Sequence, residues 1–280
     1  MSLQESNRIQ LILNGPIHKM LFKLAAPNMV SVFFMLVVGF AEPFFAGKLG
    51  IIQLASVAIT YPLVSLSGMI GAGAVGGGVV SALSRSIGKN DLNRANVVIW
   101  HSFIIYGVVA LTFFIVFVFF SKSLFIAMGA EESVVEKAVG YSRIFFILSP
   151  TIFLFYLMMS IYRSFGDYQF LAVINVLLGL LQLFLSGALS LGWLFFPSLG
   201  INGLALAFVI PQGLAGVFMF ISILFGKYPV RFKILSLRKE IFVDILNVGG
   251  LGAINSTSIA LTMIITTTFI SRFGTEAIAG

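Results

Sequence analysis

Residues 24–46 read LAAPNMVSVFFMLVVGFAEPFFA, a stretch of 23 positions with a single ionisable side chain, Glu42. A helix that crosses the hydrocarbon core of a bilayer needs about 20 mostly apolar residues, and this stretch supplies them. Six further runs of the same kind follow, at about 53–83, 97–120, 141–162, 170–195, 201–226 and 245–271. The second is long enough to require tilt or an interfacial extension. Backbone polar groups left unpaired in lipid are too costly, so a spanning segment is either a helix or a strand of a closed barrel. Barrel strands need only about 9–11 residues. Continuous runs of this length therefore predict an all-α membrane protein.

Composition agrees. The chain of 280 residues is 59% hydrophobic and 10% charged, with a mean hydropathy of +1.07. A soluble domain carries about 25% charged residues, and a soluble fold of this make-up would expose large apolar patches. The absence of cysteine excludes disulfides, thiolate metal sites and cysteine nucleophiles. The net charge of +7 lies between the apolar runs. There it sets topology and meets anionic membrane lipid, and no nucleic-acid partner is expected. Residues 1–19 are polar and the first apolar run is too long for a signal core, so no cleavable signal peptide is expected.

The connections carry a charge bias. With the N-terminus inside, one side collects Arg8, Lys19, Lys23, Arg85, Lys89, Arg94, Arg163, Lys227, Arg231, Lys233, Arg238 and Lys239, and the other collects Lys48, Lys122, Lys137, Arg143 and Arg272. The excess predicts a cytoplasmic N-terminus in a plasma or bacterial inner membrane. The segment 227–240 is basic and is expected to be helical, lying on the inner leaflet.

A repeat organises the chain. FAGKLGIIQLAS at 45–56 aligns with FISRFGTEAIAG at 269–280, an offset of 224 residues. Lys48 meets Arg272, Gly50 meets Gly274, Leu54 meets Ile278 and Ala55 meets Ala279. Six helices separate the copies, so both enter the membrane in the same direction, as in parallel repeats related by an axis along the membrane normal. The expected organisation is a cytoplasmic N-terminus at 1–23, a first six-helix lobe at 24–226, a basic linker at 227–244 and, at 245–280, a seventh helix that begins a second lobe. A complete second half would need more than about 100 further residues. The chain is thus expected to be part of a longer one, its partner lobe missing.

Glu42 is the acidic residue well inside an apolar run. A carboxyl in the hydrocarbon region is costly and is expected to face the bundle interior or a wet cavity. So placed, it can take up a proton at one side of the membrane and release it at the other, and a cationic substrate can compete for it. The alternative is a Glu near the helix end that reaches water or pairs with Lys48. Pro43 removes a helix donor and crowds the carbonyl of Gly39, and Pro27 lies near the start of the same run. Both are candidate hinges. Asn175, Gln182 and Ser186 share one face of the fifth helix and are candidates to line a substrate cavity, as is Gln212 beside Pro211. Polar side chains of this kind also serve as interhelical glue.

Other patterns are structural. Gly71, Gly73 and Gly76 match a dinucleotide-binding fingerprint, but no strand precedes them and they lie inside a spanning helix. Gly73 and Gly77 form a G-x-x-x-G pair, which predicts close helix packing. His18 and His101 are isolated, no metal-binding His spacing occurs, and no Walker lysine follows a glycine loop. Neither an enzyme, nor an ATP-driven pump, nor a bound cofactor is expected.

Several stretches resemble the MATE family, the multidrug and toxic compound extrusion transporters, over about residues 21–280. They are Leu24-Ala-Ala-Pro27, Gly47-Lys-Leu-Gly50 with Leu54-Ala55, Ser84-Arg-Ser-Ile-Gly88-Lys-Asn-Asp91-Leu-Asn-Arg-Ala95, Tyr141, Pro150, Arg163-Ser-Phe-Gly166-Asp167, and Pro197-Ser-Leu-Gly200-Ile-Asn-Gly203-Leu-Ala205. The resemblance implies twelve helices in two lobes around a central cavity. It implies an antiporter that exports small amphipathic, often cationic compounds against an inward flow of protons or sodium. The DinF-like branch is the nearest in pattern, and Glu42 stands where that branch usually has an Asp. Gln182 and Ser186 stand where an Asn and an Asp are common, so one carboxylate replaces a pair. The helix-seven Glu of the NorM-like branch aligns with Ile259. The competing expectation is a lipid or polysaccharide flippase of a related two-lobed superfamily, which needs a wide basic cavity. An intramembrane enzyme would need a catalytic partner for Glu42.

Overall fold

The computed structural model describes residues 29, 34, 36, 38–225, 228, 230 and 232–279. Pro27, and the basic residues Arg8, Lys19, Lys23, Lys227 and Arg231, lie outside the described residues. Every described element is helical: α1 (38–49), α2 (Ile51–Gly68), a π-helical segment (Met69–Val75), α3 (Gly76–Gly88), α4 (Leu92–Ala127), α5 (Glu132–Ile147), α6 (Ser149–Ser164), α7 (Tyr168–Leu191), α8 (Ile201–Phe225), α9 (Lys239–Ser271) and α10 (Thr275–Ala279). The protein is an all-helical, multi-pass membrane protein. Among the described residues, α2 with α3, α4, α7, α8 and α9 are each long and apolar enough to span, and α5 with α6 makes a sixth, bent span.

Local chemistry places the breaks. Gly50, at φ 130°, separates α1 from α2 in a conformation open to glycine. Asp91 caps α4 by accepting from the Arg94 N–H at 2.9 Å, and Asp167 caps α7 by accepting from the Phe170 N–H at 3.2 Å. The fourth run, expected as one helix over 141–162, is bent by 53° between α5 and α6. Pro150 is the cause, because it has no N–H to offer the Phe146 carbonyl. The Thr151 hydroxyl donates to the Leu148 carbonyl at 2.7 Å, beside the Thr151 backbone N–H at 3.0 Å, and the Ser149 hydroxyl ties the bend to the Ala110 carbonyl at 3.2 Å.

The π-helical segment changes which glycines pack. The extra residue per turn rotates the face that follows. A Cβ on Gly73 or Gly77 would meet nothing within 4 Å among the described residues, so the expected G-x-x-x-G contact does not form between them. Its neighbours make the close approaches instead: a Cβ on Gly71 would strike the Tyr156 ring at 2.3 Å, and one on Gly78 would lie 2.3 Å from the Ile245 carbonyl oxygen. Gly71 also offers its carbonyl to the Tyr106 hydroxyl at 2.7 Å.

The segment before α9 also departs from expectation, since residues 232–238 carry no helix. Phe232 instead packs edge-on against Trp100, Phe103 and Phe220. The Arg238 N–H donates to His101 Nε2 at 2.8 Å, while His101 Nδ1 donates to the Val97 carbonyl at 2.8 Å. The segment is thus pinned to α4 at Phe232 and at the Arg238 N–H, in an extended rather than a helical form. It delivers α9 to the π-helical segment and α3, with backbone contacts at Ala74–Gly252 and Gly78–Ile245.

Candidate functional site

Glu42 lies on α1, about two turns before Gly50, and is half-buried. Its carboxyl oxygen Oε1 accepts a hydrogen bond from the Tyr141 hydroxyl, carried by α5 across 99 residues of sequence. Tyr141 is 1% exposed. The pair sits against Ala41, Phe45 and Ala46 of α1, Val57 of α2, and Ile201, Leu204 and Ala205 of α8, which form one apolar cluster with Tyr141. Trp193 meets the Phe45 ring edge-on at 5.5 Å and closes that side. Lys48 does not reach Glu42; its ammonium lies 4.9 Å from the centre of the Phe44 ring. Among the described residues no cation forms an ion pair with Glu42, and no group of three His, Asp or Glu is placed to hold a metal. The arrangement is a carboxyl oriented by a phenol in an apolar setting, without a built-in counter-ion.

Around this pair the remaining candidates fall as follows. Pro43 is exposed, and α1 runs helical through it without a break. Asn175, Gln182 and Ser186 lie on the single helix α7. Gly179, on the same face as Asn175 and Gln182, is where α7 meets α1: a Cβ there would strike Phe34 at 2.5 Å and Val38 at 2.9 Å. Val38 is one turn before Glu42, so the polar stripe of α7 flanks the helix that carries the carboxyl. Ser186 is 2% exposed. Gln212 lies on α8 beside the buried Pro211, and its buried Oε1 has no hydrogen-bond partner among the described residues.

Tyr141 was visible to sequence reasoning only through the family resemblance. The physical signal was a phenol in an apolar run, which needs a polar partner when buried.

A bundle of apolar spans with a half-buried carboxyl between its helices defines a polytopic membrane protein. The model of the family described as MatE matches residues 27–186, more than half of the chain, and the chain belongs to that family of transporters, not to a family of enzymes. It is 28% identical over 196 residues to an FAD transporter of Shewanella oneidensis, covering 70% of this chain and 43% of that protein. It is 24% identical over 272 residues to the multidrug export protein MepA of Staphylococcus aureus, covering 95% of this chain and 58% of that protein. Among solved structures, the outward-facing conformation of a multidrug resistance MATE family transporter superposes with a TM-score of 0.78 at 27% identity, over 90% of this chain and 56% of that one. The chain thus spans about half the length of the relatives it matches.

Proposed function

We propose that this chain forms the first six-helix lobe and the seventh helix of a cation-coupled exporter of small amphipathic, cationic compounds, in which Glu42 binds the coupling proton or sodium ion. The observation that carries the reading is the Glu42–Tyr141 pair: a carboxyl held by a neutral donor between helices, with no ion pair among the described residues. Such a group is free to exchange one positive partner for another. In this reading the basic ends of α3 and α4 face the cytoplasm, and a second lobe, related by the parallel repeat, rocks against the first around a midplane cavity. Asn175, Gln182, Ser186 and Gln212 line the substrate side, and Pro27 and Pro43 are the hinge positions of the first apolar run. The DinF-like branch is the assignment that best accommodates an acid at position 42.

The test is ethidium transport by the complete protein in proteoliposomes, with proton and sodium gradients imposed separately. One of the two gradients is expected to drive accumulation, and Glu42→Gln is expected to abolish it while the protein still elutes as a folded species. Normal transport by Glu42→Gln sinks the assignment. The likeness to an FAD transporter favours a second reading of the cargo, a dinucleotide anion. FAD flux that ethidium does not inhibit would favour it.

A further inference from the structure

The basic ends of α3 and α4 are joined to α9 through one acid. Asp244 lies in the second turn of α9, and its two carboxylate oxygens accept from two different helices. Arg85, in the last turn of α3, donates to one oxygen at 2.5 Å, and Arg94, in the first turn of α4, donates to the other at 2.9 Å. The second guanidinium nitrogen of Arg85 donates to the Ser81 hydroxyl at 2.5 Å, which fixes its orientation. All three charged side chains keep contact with solvent, at 48% for Arg85, 44% for Arg94 and 25% for Asp244. Beside this cluster the helices touch backbone to backbone, at Gly78 and Ile245.

The far end of α9 is attached differently. There the Ser271 hydroxyl donates to the Met128 carbonyl at 2.6 Å, a contact between neutral groups. The two ends of α9 are thus held by different chemistry, a part-exposed charged cluster at one and a buried neutral hydrogen bond at the other. The charged end is also the one water can replace at little cost, because a part-exposed ion pair contributes little net free energy. A contact that is specific but inexpensive to open is suited to a moving part.

We propose that Asp244, Arg85 and Arg94 form a releasable clamp that holds α9 against the basic ends of α3 and α4, and that breaking it opens the cleft beside α9 on that side of the membrane. The clamp rests on the exporter reading above, in which it closes the inner gate. It sits at the opposite end of the bundle from Glu42 and shares no residue with that site.

The experiment reads opening directly and without substrate or ion gradient, so its failure is distinct from a failure of the Glu42 assignment. This chain has no cysteine. Ser256, 6% exposed and donating to the Met69 carbonyl at 3.3 Å, lies in the seam between α9 and the π-helical segment. With Ser256→Cys as the sole thiol of the complete protein in proteoliposomes, a membrane-impermeant maleimide is applied to each side in turn. Asp244→Asn is expected to raise labelling about three- to tenfold, only from the basic-end side. The mirror variant Asp244→Arg with Arg85→Asp and Arg94→Asp, which restores opposite charges, is expected to return the rate towards that of the parent. Arg94→Gln, which leaves the Arg85 contact, gives a smaller rise and serves if Asp244→Asn does not fold. The proposal is overturned by unchanged labelling in the clamp variants, by a rise from the other side, or by a mirror variant that labels as fast as Asp244→Asn.

Discussion

Two carboxylates in this bundle, Glu42 on α1 and Asp244 on α9, sit at opposite ends and in opposite company. Glu42 is surrounded by apolar side chains and accepts from a phenol. Asp244 accepts from two guanidinium groups and remains in contact with solvent. The chemistry of the acid is nearly the same, so the neighbours decide its use. An acid supplied with cations by its own chain is committed to holding helices together. One supplied, among the described residues, only with a neutral donor is the acid to which the proposed exchange role is given.

The comparison can be broken in order of expected effect. Removing the Glu42 charge as Glu42→Gln should lower gradient-driven ethidium flux by at least about 100-fold, since among the described residues no second acid shares its hydrogen bond or forms a cluster with it. Gly78→Ala should disturb the Asp244 side by sterics alone. Its Cβ would meet the Ile245 carbonyl, 2.3 Å from where it must sit, and overpacking of this sort costs about 1–3 kcal/mol. A lowered melting temperature in detergent, with faster labelling at Ser256→Cys, is the expected reading. Tyr141→Phe keeps the ring and loses the hydrogen bond to Glu42. It should cost about 1–2 kcal/mol of stability and slow flux by about three- to tenfold, with the dependence on the driving ion altered. Lys48→Ala should change least. The ammonium rests on Phe44 rather than on Glu42, a contact of about 0.5–1 kcal/mol at an exposed site, and transport should be unaffected. A large transport defect in Lys48→Ala would restore the pairing that the geometry does not show and would erase the contrast between the two acids.

The helical class and most spans were legible because hydropathy is a one-dimensional property: runs such as 97–120 and 201–226 announce α4 and α8 directly. What was not legible depends on register or on distant partners. The 53° bend turns on one ring, that of Pro150, inside a run whose composition is uniformly apolar. The close approaches fall at Gly71, Gly76 and Gly78 rather than at Gly73 and Gly77, because the π-helical segment breaks the 3.6-residue register on which the expected spacing rests. The basic stretch before α9 looked like a helix, but Phe232 packs on partly buried rings of α4 and α8 and the Arg238 N–H finds the buried His101 of α4. Glu42 stood out on charge alone. Its donor, Tyr141, did not, nor did the arginines of Asp244, 159 and 150 residues away. In the sequence those two stand as topological charge and within the 84–95 stretch that resembles the family, with nothing to point to Asp244.

The reading of Glu42 as an exchange site is tested most directly by cation displacement. The complete protein, in weakly buffered detergent solution, is titrated with ethidium while released protons and sodium are followed separately. The account predicts that close to one cation of a single kind leaves per ethidium bound, and that Glu42→Gln binds ethidium with no such release. Equal release from the parent protein and from Glu42→Gln would contradict it.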